Sequence, residues 1–143
     1  MTSESAIMEG GCGCGVVRYR VTGAPQWASH CHCRDCRHAT GAPYVTYVGL
    51  LAPQVAWRGQ APVRYPSSPG VTRSFCGKCG TPLTYEGDRW PGELHILAAT
   101  LDDPGLITPQ AHVYVGQKLP WVQLSDGLPR FRTLPREGPA LTE

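Results

Sequence analysis

A chain of 143 residues, 41% hydrophobic and with a formal net charge of +2, is one typical domain's worth of sequence and can bury roughly two thirds of the surface it exposes when unfolded. Its charge is too small, and its basic residues too dispersed, for binding to a phosphate backbone, so nucleic acid is a poor candidate partner. Its 17 glycines and 14 prolines, spread along the whole length, argue against a helical bundle and for many short strands joined by turns.

In chain order, the opening MTSESAIMEGGCGCG lacks a basic stretch followed by an apolar one, and no later run reaches the roughly 18 apolar residues of a membrane span. A cytoplasmic location without a membrane partner is the expectation. GVVRYRVTG alternates Val17, Tyr19 and Val21 against Arg18 and Arg20, the period of two that predicts a strand with one buried face. The β-branched and aromatic APYVTYVGLL, residues 42–51, predicts another strand. QVAWRG and PVRYPSS predict short strands punctuated by Gly and Pro, and LTYEG, ELHILAATL and AHVYVG continue the meander. DCRHATG, Asp35 to Gly41, is the one expected helical turn, since nothing sustains a long period of 3.6 residues. TLPREGPALTE, residues 133–143, has little apolar periodicity and reads as a loose tail. Trp27, Trp57, Trp90 and Trp121 have no basic stripe beside them and read as packing residues rather than a base-stacking platform.

Seven cysteines without an export signal are expected in a reducing compartment, where clustered thiols bind metal or do chemistry rather than pair. The odd count agrees. Cys12 and Cys14, like Cys31 and Cys33, are separated by one residue, which makes relaxed disulfide geometry hard to reach. In SFCGKCGTPL, Cys76 and Cys79 have the C-x-x-C spacing of a zinc knuckle, and Gly77 and Gly80 permit the tight turn that aims both sulfurs at one ion. In GGCGCG, Cys12 and Cys14 stand at i and i+2, on one face of an extended strand. Together these four supply a closed tetrahedral zinc site of structural role, clamping residue 12 to residue 79. A thioredoxin-like role for C-G-K-C is disfavoured, because Gly80, Thr81 and Pro82 interrupt the helix that such a motif opens.

The remaining three cysteines fall in HCHCRDCRHATGAPY. Cys31 and Cys33 share a strand face and Cys36 follows one turn later, so one Zn²⁺ reaches all three sulfurs at about 2.3 Å. On this reading the fourth position is open to water or to an incoming thiol, whose deprotonation the cation favours. Arg34 and Arg37, interleaved with the ligands, would offset the negative charge or attract an anionic thiol. The alternative is a second structural site closed by His30, His32, His38, His95 or His112; His32 is a poor choice, because it points to the opposite strand face. Zinc is favoured over mononuclear iron, since Gly-bearing cysteine knuckles usually hold it.

Taken together, these motifs resemble the glutathione-dependent formaldehyde-activating enzyme family, also described as the domain shared with centromere protein V. The likeness runs through GGCGCGVVRY, CHCRDCRHATGAPY, RSFCGKCGTPLTY, HILAATLDDP and HVYVGQKLPWVQLSDGLPRF. It implies a mainly all-β, Mss4-like fold of several coiled antiparallel sheets built around zinc sites, with residues 1–9 as a lead, 10–131 as the family's domain and 132–143 as a tail. It further implies that Cys12, Cys14, Cys76 and Cys79 hold a structural zinc, and that Cys31, Cys33 and Cys36 hold a catalytic one. The implied activity is of carbon-sulfur lyase type, joining glutathione and formaldehyde to S-hydroxymethylglutathione, so the implied partners are a small-molecule thiol and an aldehyde. His38 or a water is then the candidate proton donor, and Arg73, Lys118 and Trp121 are candidates to line the glutathione pocket. Two readings compete: a non-catalytic interaction module with two structural zincs, and a thiol-based redox or zinc-storage protein that loses metal on mild oxidation.

Overall fold

Alternation becomes a buried face where it was expected. On β2 (Val17–Thr22), Val17, Tyr19 and Val21 are buried while Arg18 and Arg20 stay partly exposed. The structure is a computed structural model describing residues 7–142; residues 1–6 of the expected lead and Glu143 of the expected tail lie outside them. Two units are interleaved along the chain, one formed by the residues up to Gln26 with Val48–Ile107, the other by Trp27–Tyr47 with the residues from Thr108 onward.

In the first unit, β1 (Ile7–Gly11), β2 and β5 (Val55–Gly59) form an antiparallel sheet in the order β1-β2-β5. β6 (Val63–Ser68), β7 (Val71–Phe75), β8 (Pro82–Gly87) and β9 (Glu93–Leu97) form an antiparallel ladder. The second half of β4 (Val45–Leu51) lies next to β9. The core of this unit gathers Val17, Tyr19, Val21, Val48, Leu50, Leu83, Ile96 and Leu101 around Cys12 and Cys76. Each buried aliphatic side chain contributes roughly 1.5–3 kcal/mol relative to its exposed state. Two of the candidate metal ligands are therefore held by the core itself.

The second unit holds β3 (Trp27–Cys31), α1 (Arg34–Thr40), the first half of β4 and β10 (His112–Val113). β10 runs parallel to β3, with His112 opposite His30 and Val113 opposite Cys31. This pair departs from the expected antiparallel meander. A parallel pair needs a long crossover, and no local pattern announces one. AHVYVG supplies only those two paired residues, because Tyr114 turns into the left-handed region (φ 57°) and a 3₁₀ turn over Val115–Gln117 follows. ELHILAATL likewise stops at Leu97, where the Thr100 hydroxyl donates to the Leu97 carbonyl (2.8 Å) and favours a 3₁₀ turn over continued pairing.

The helical turn expected over Asp35 to Gly41 is α1. It begins where the Cys33 sulfur accepts from the Cys36 N–H, and it ends where left-handed Gly41 donates to the Arg37 carbonyl (2.7 Å). The residues read as a loose tail are pinned within their unit: Leu134 is buried and the Leu141 N–H donates to the Arg130 carbonyl (2.7 Å). The molecule is mainly β, and among the described residues no helix is long and apolar enough to cross a membrane.

Candidate functional site

Two turns in the first unit bring four sulfurs together. The turn between β1 and β2 is closed by Cys12 N–H donating to the Val17 carbonyl (3.0 Å) and Gly15 N–H to the Cys12 carbonyl (3.2 Å). The turn between β7 and β8 is closed by Cys76 N–H to the Thr81 carbonyl (2.9 Å) and Gly80 N–H to the Cys76 carbonyl (2.8 Å). Cys12 and Cys14 therefore converge through a turn rather than by alternation on an extended strand, since β1 has already ended at Gly11. The Gly13 N–H donates to the Thr81 hydroxyl (3.0 Å), tying one turn to the other.

All four sulfurs lie within 4.8 Å of one another, with Cys12 to Cys14 at 3.6 Å and Cys14 to Cys76 at 3.9 Å. Four sulfurs arranged tetrahedrally about 2.3 Å from one zinc would stand about 3.8 Å apart, so this set fits the ion. Backbone N–H groups of Val17 and of Lys78 and Cys79 point at the Cys12 and Cys76 sulfurs (3.3–3.4 Å). The Thr81 hydroxyl and neighbouring amides bring the Cys79 thiol down to about 5.

The second unit assembles the other three. Cys31 ends β3, Cys33 caps α1 and Cys36 sits in its first turn. Their sulfurs also lie within 4.8 Å of one another, Cys36 to Cys31 at 3.6 Å. The buried Tyr47 hydroxyl donates to the Cys36 sulfur (3.2 Å). Cys31 and Cys36 are buried while Cys33 is half-buried, so the cluster has one accessible side. The Cys31 thiol is pushed far up by its sulfur neighbours Cys33 and Cys36 and by burial. Three crowded thiols cannot all ionise unaided; a divalent cation would resolve the conflict.

Four of the five histidines weighed as closing ligands, all but His38, are engaged elsewhere. His95 Nε2 lies 2.9 Å from the Glu93 carboxylate in the first unit. His30 Nδ1 bonds the Thr46 hydroxyl (2.7 Å), His32 Nε2 bonds His112 Nδ1 (2.9 Å), and His112 Nε2 bonds the Asp126 carboxylate (2.7 Å). A carboxylate accepts, so His112 carries its proton on Nε2 and in turn accepts from His32 Nε2–H. The buried Nδ1 of His32, which has no partner, is thereby left as a bare lone pair. Tyr44 covers His32 at 4.8 Å between ring centroids, and His30 stacks on His112 at 4.6 Å.

This His32-His112-Asp126 chain was not expected. Its only sequence cue is the interleaving of histidine with cysteine in HCHC. Among the pocket candidates, Arg73 is buried in the first unit with its guanidinium over Tyr85 (5.1 Å). Lys118 is spent on the carbonyls of Leu119 (3.1 Å) and Val122 (2.6 Å). Trp121 and His38 both line a cavity in the second unit.

The family described as glutathione-dependent formaldehyde-activating enzyme matches residues 7–117. The chain belongs to that family. It is similar, at 31% identity over 128 residues covering 82% of this chain and 81% of the other, to a Halomonas elongata protein provisionally named a glutathione-dependent formaldehyde-activating enzyme. An uncharacterized lyase of Schizosaccharomyces pombe is 30% identical over 77 residues, 54% of this chain and 56% of that one. A crystal structure of a Rhodobacter sphaeroides protein shares the fold, with a TM-score of 0.56 at 24% identity over 66% of this chain and 88% of that one.

Proposed function

We propose that this family member is a zinc-dependent enzyme of carbon-sulfur lyase type that joins glutathione to formaldehyde as S-hydroxymethylglutathione. In this reading Cys12, Cys14, Cys76 and Cys79 hold a structural zinc, while Cys31, Cys33 and Cys36 hold the catalytic one, and residues 10–131 form the working domain. The observation that carries the reading is the three-sulfur cluster with a single accessible side. Zinc bound there would act as a Lewis acid that lowers the pKa of the incoming thiol.

The surrounding residues have separate tasks. Tyr47 steadies the Cys36 sulfur by hydrogen bonding, and the Cys36 amide does the same for the Cys33 sulfur (3.3 Å). In the reaction a sulfur-carbon bond forms, the carbonyl electron pair moves to oxygen, and the proton lost by sulfur is balanced by one gained by the alkoxide. His38, in the cavity wall, is assigned to deliver that proton. The seven free cysteines suit a reducing, cytoplasmic setting.

The test follows glutathione consumption by formaldehyde against the uncatalysed rate, with zinc counted by native mass spectrometry. Two zincs and an acceleration that Cys33→Ser abolishes without loss of the fold are expected. Full turnover in Cys33→Ser would overturn the assignment.

A further inference from the structure

β10 pairs with β3 in the register that sets His112 opposite His30, so the two imidazoles leave the sheet on the same face. Alternation along β3 turns that face away from the Cys31 sulfur. The irregular stretch after Gln117 adds Asp126, and one donor atom from each of His30, His112 and Asp126 lies within 4.8 Å of the others. All three residues belong to the second unit. His112 is buried, His30 half-buried and Asp126 exposed, so the cluster has a fixed floor and a solvent side.

We propose that His30, His112 and Asp126 form a third metal site, open to water on one side, for a borderline divalent cation such as Zn²⁺. Two imidazoles and a carboxylate are a donor set of that class, and the site uses none of the seven sulfurs.

The support behind each donor separates this cluster from a chance meeting of polar side chains. His30 Nδ1 bonds the Thr46 hydroxyl (2.7 Å), leaving Nε2 to the ion. His112 Nδ1 bonds His32 Nε2 (2.9 Å), leaving Nε2 likewise. Asp126 Oδ1 accepts from the Leu128 N–H (3.0 Å), leaving Oδ2, which lies 2.7 Å from His112 Nε2. A ligating histidine nearly always has its second nitrogen held in this way, which fixes the aim of the ring. His95 is the contrast: the Glu93 carboxylate lies beside it (2.9 Å), but among the described residues no third donor joins them.

Coordination asks for two adjustments. Donors about 2.1 Å from one ion at tetrahedral angles stand about 3.4 Å apart, so the Asp126 carboxylate must swing out by about 0.7 Å. Its 44% exposure permits that. His30 turns out of its stack on His112 to bring its nitrogen to the ion. Zinc at His112 Nε2 moves that ring's proton to Nδ1, which then donates to His32 Nε2, and the His32 proton passes to the bare Nδ1. No proton is lost, but the new N–H is buried without an acceptor. That cost makes this site weaker than the thiolate sites, which fill first.

The experiment is a zinc titration, at neutral pH, of the protein with its cysteine sites already filled, read by calorimetry, native mass spectrometry and NMR of the histidine rings. Parent, Asp126→Asn and His30→Gln are compared, with circular dichroism checked for each. The parent is expected to take up one further zinc, removed by a chelator too weak to strip the cysteine sites, with ring shifts confined to His30, His32 and His112. Each variant should bind that zinc at least tenfold more weakly. No further zinc on the parent, a result that needs no variant, would overturn the site. A further zinc that both variants bind as well as the parent, or that shifts His38 or His95 instead, would be an adventitious surface ion only and would overturn it too.

Discussion

At His32 a titratable ring sits between two candidate metal ligands, and its burial decides its protonation state. Desolvation, then the nearby charges of His112, His30 and Lys118, lower its pKa to about 4, with Asp126 pulling the other way; Tyr44 shields one face of the ring. An unfolded histidine titrates near 6.5 (roughly), so between about 6.5 and 4 the unfolded chain holds the extra proton and stability falls as pH falls. Asp126, held below the ordinary carboxylate range by its bond to His112, adds a further loss at still lower pH. Removing the ring as His32→Gln is expected to flatten the dependence of the melting temperature on pH in that window by one proton's worth. An unchanged slope, measured on metal-free parent and variant so that acid loss of metal does not enter, would show that His32 does not carry the effect. At this scale the short-range sets were legible, Cys12 with Cys14, Cys76 with Cys79, and Cys31 with Cys33 and Cys36, because close spacing keeps sulfurs within reach of one ion; the joining of the first two pairs across 62 residues is a matter of the fold. The partners Tyr47 and Asp126 were not legible: nothing near Cys36 specifies residue 47, and nothing near His32 specifies residues 112 and 126.

Elements were legible where one face is buried and the other wet. GVVRYRVTG became β2 in that way, and the Cys33 cap with Gly41 bounded α1 almost where DCRHATG placed it. WASHC, which became β3, shows no such period, since three of its five residues are half-buried on both sides of the alternation. The pairing of β10 with β3 joins segments far apart in sequence and leaves no local trace. Turn geometry makes a sharper demand at Gly11. A Cβ there would overlap the Val17 carbonyl oxygen, the acceptor of the Cys12 N–H bond that closes the first cysteine turn. Gly11→Ala should therefore cost about 1–3 kcal/mol, as overpacking does, read as a lower denaturant midpoint. Gly13→Ala is the control: its Cβ would meet only the Thr81 hydroxyl, at 3.4 Å. Equal midpoints for the two variants would remove the close approach as the reason for glycine at residue 11.

For the whole molecule, the two sulfur clusters differ in how much chain they close. Cys14 and Cys76 are 62 residues apart, whereas Cys31 and Cys36 are 5 apart. On loop-closure entropy alone, a metal bridging the longer separation removes about 2 kcal/mol more from the unfolded state than one bridging the shorter. Cys12 and Cys76 are also members of the main core, so loss of that metal disturbs packing that the three-cysteine cluster does not share. Cys79 is exposed and Cys33 half-buried, and neither serine substitution opens a large cavity, so the comparison reports on the metal rather than on the side chain. Cys79→Ser is expected to lower the melting temperature well beyond Cys33→Ser, each variant losing one zinc by native mass spectrometry. An equal fall in both would mean that the three-cysteine site also supports the fold, which favours the interaction-module reading. A clear difference leaves Cys31, Cys33 and Cys36 as the set whose metal the fold can spare, as a site built for chemistry requires.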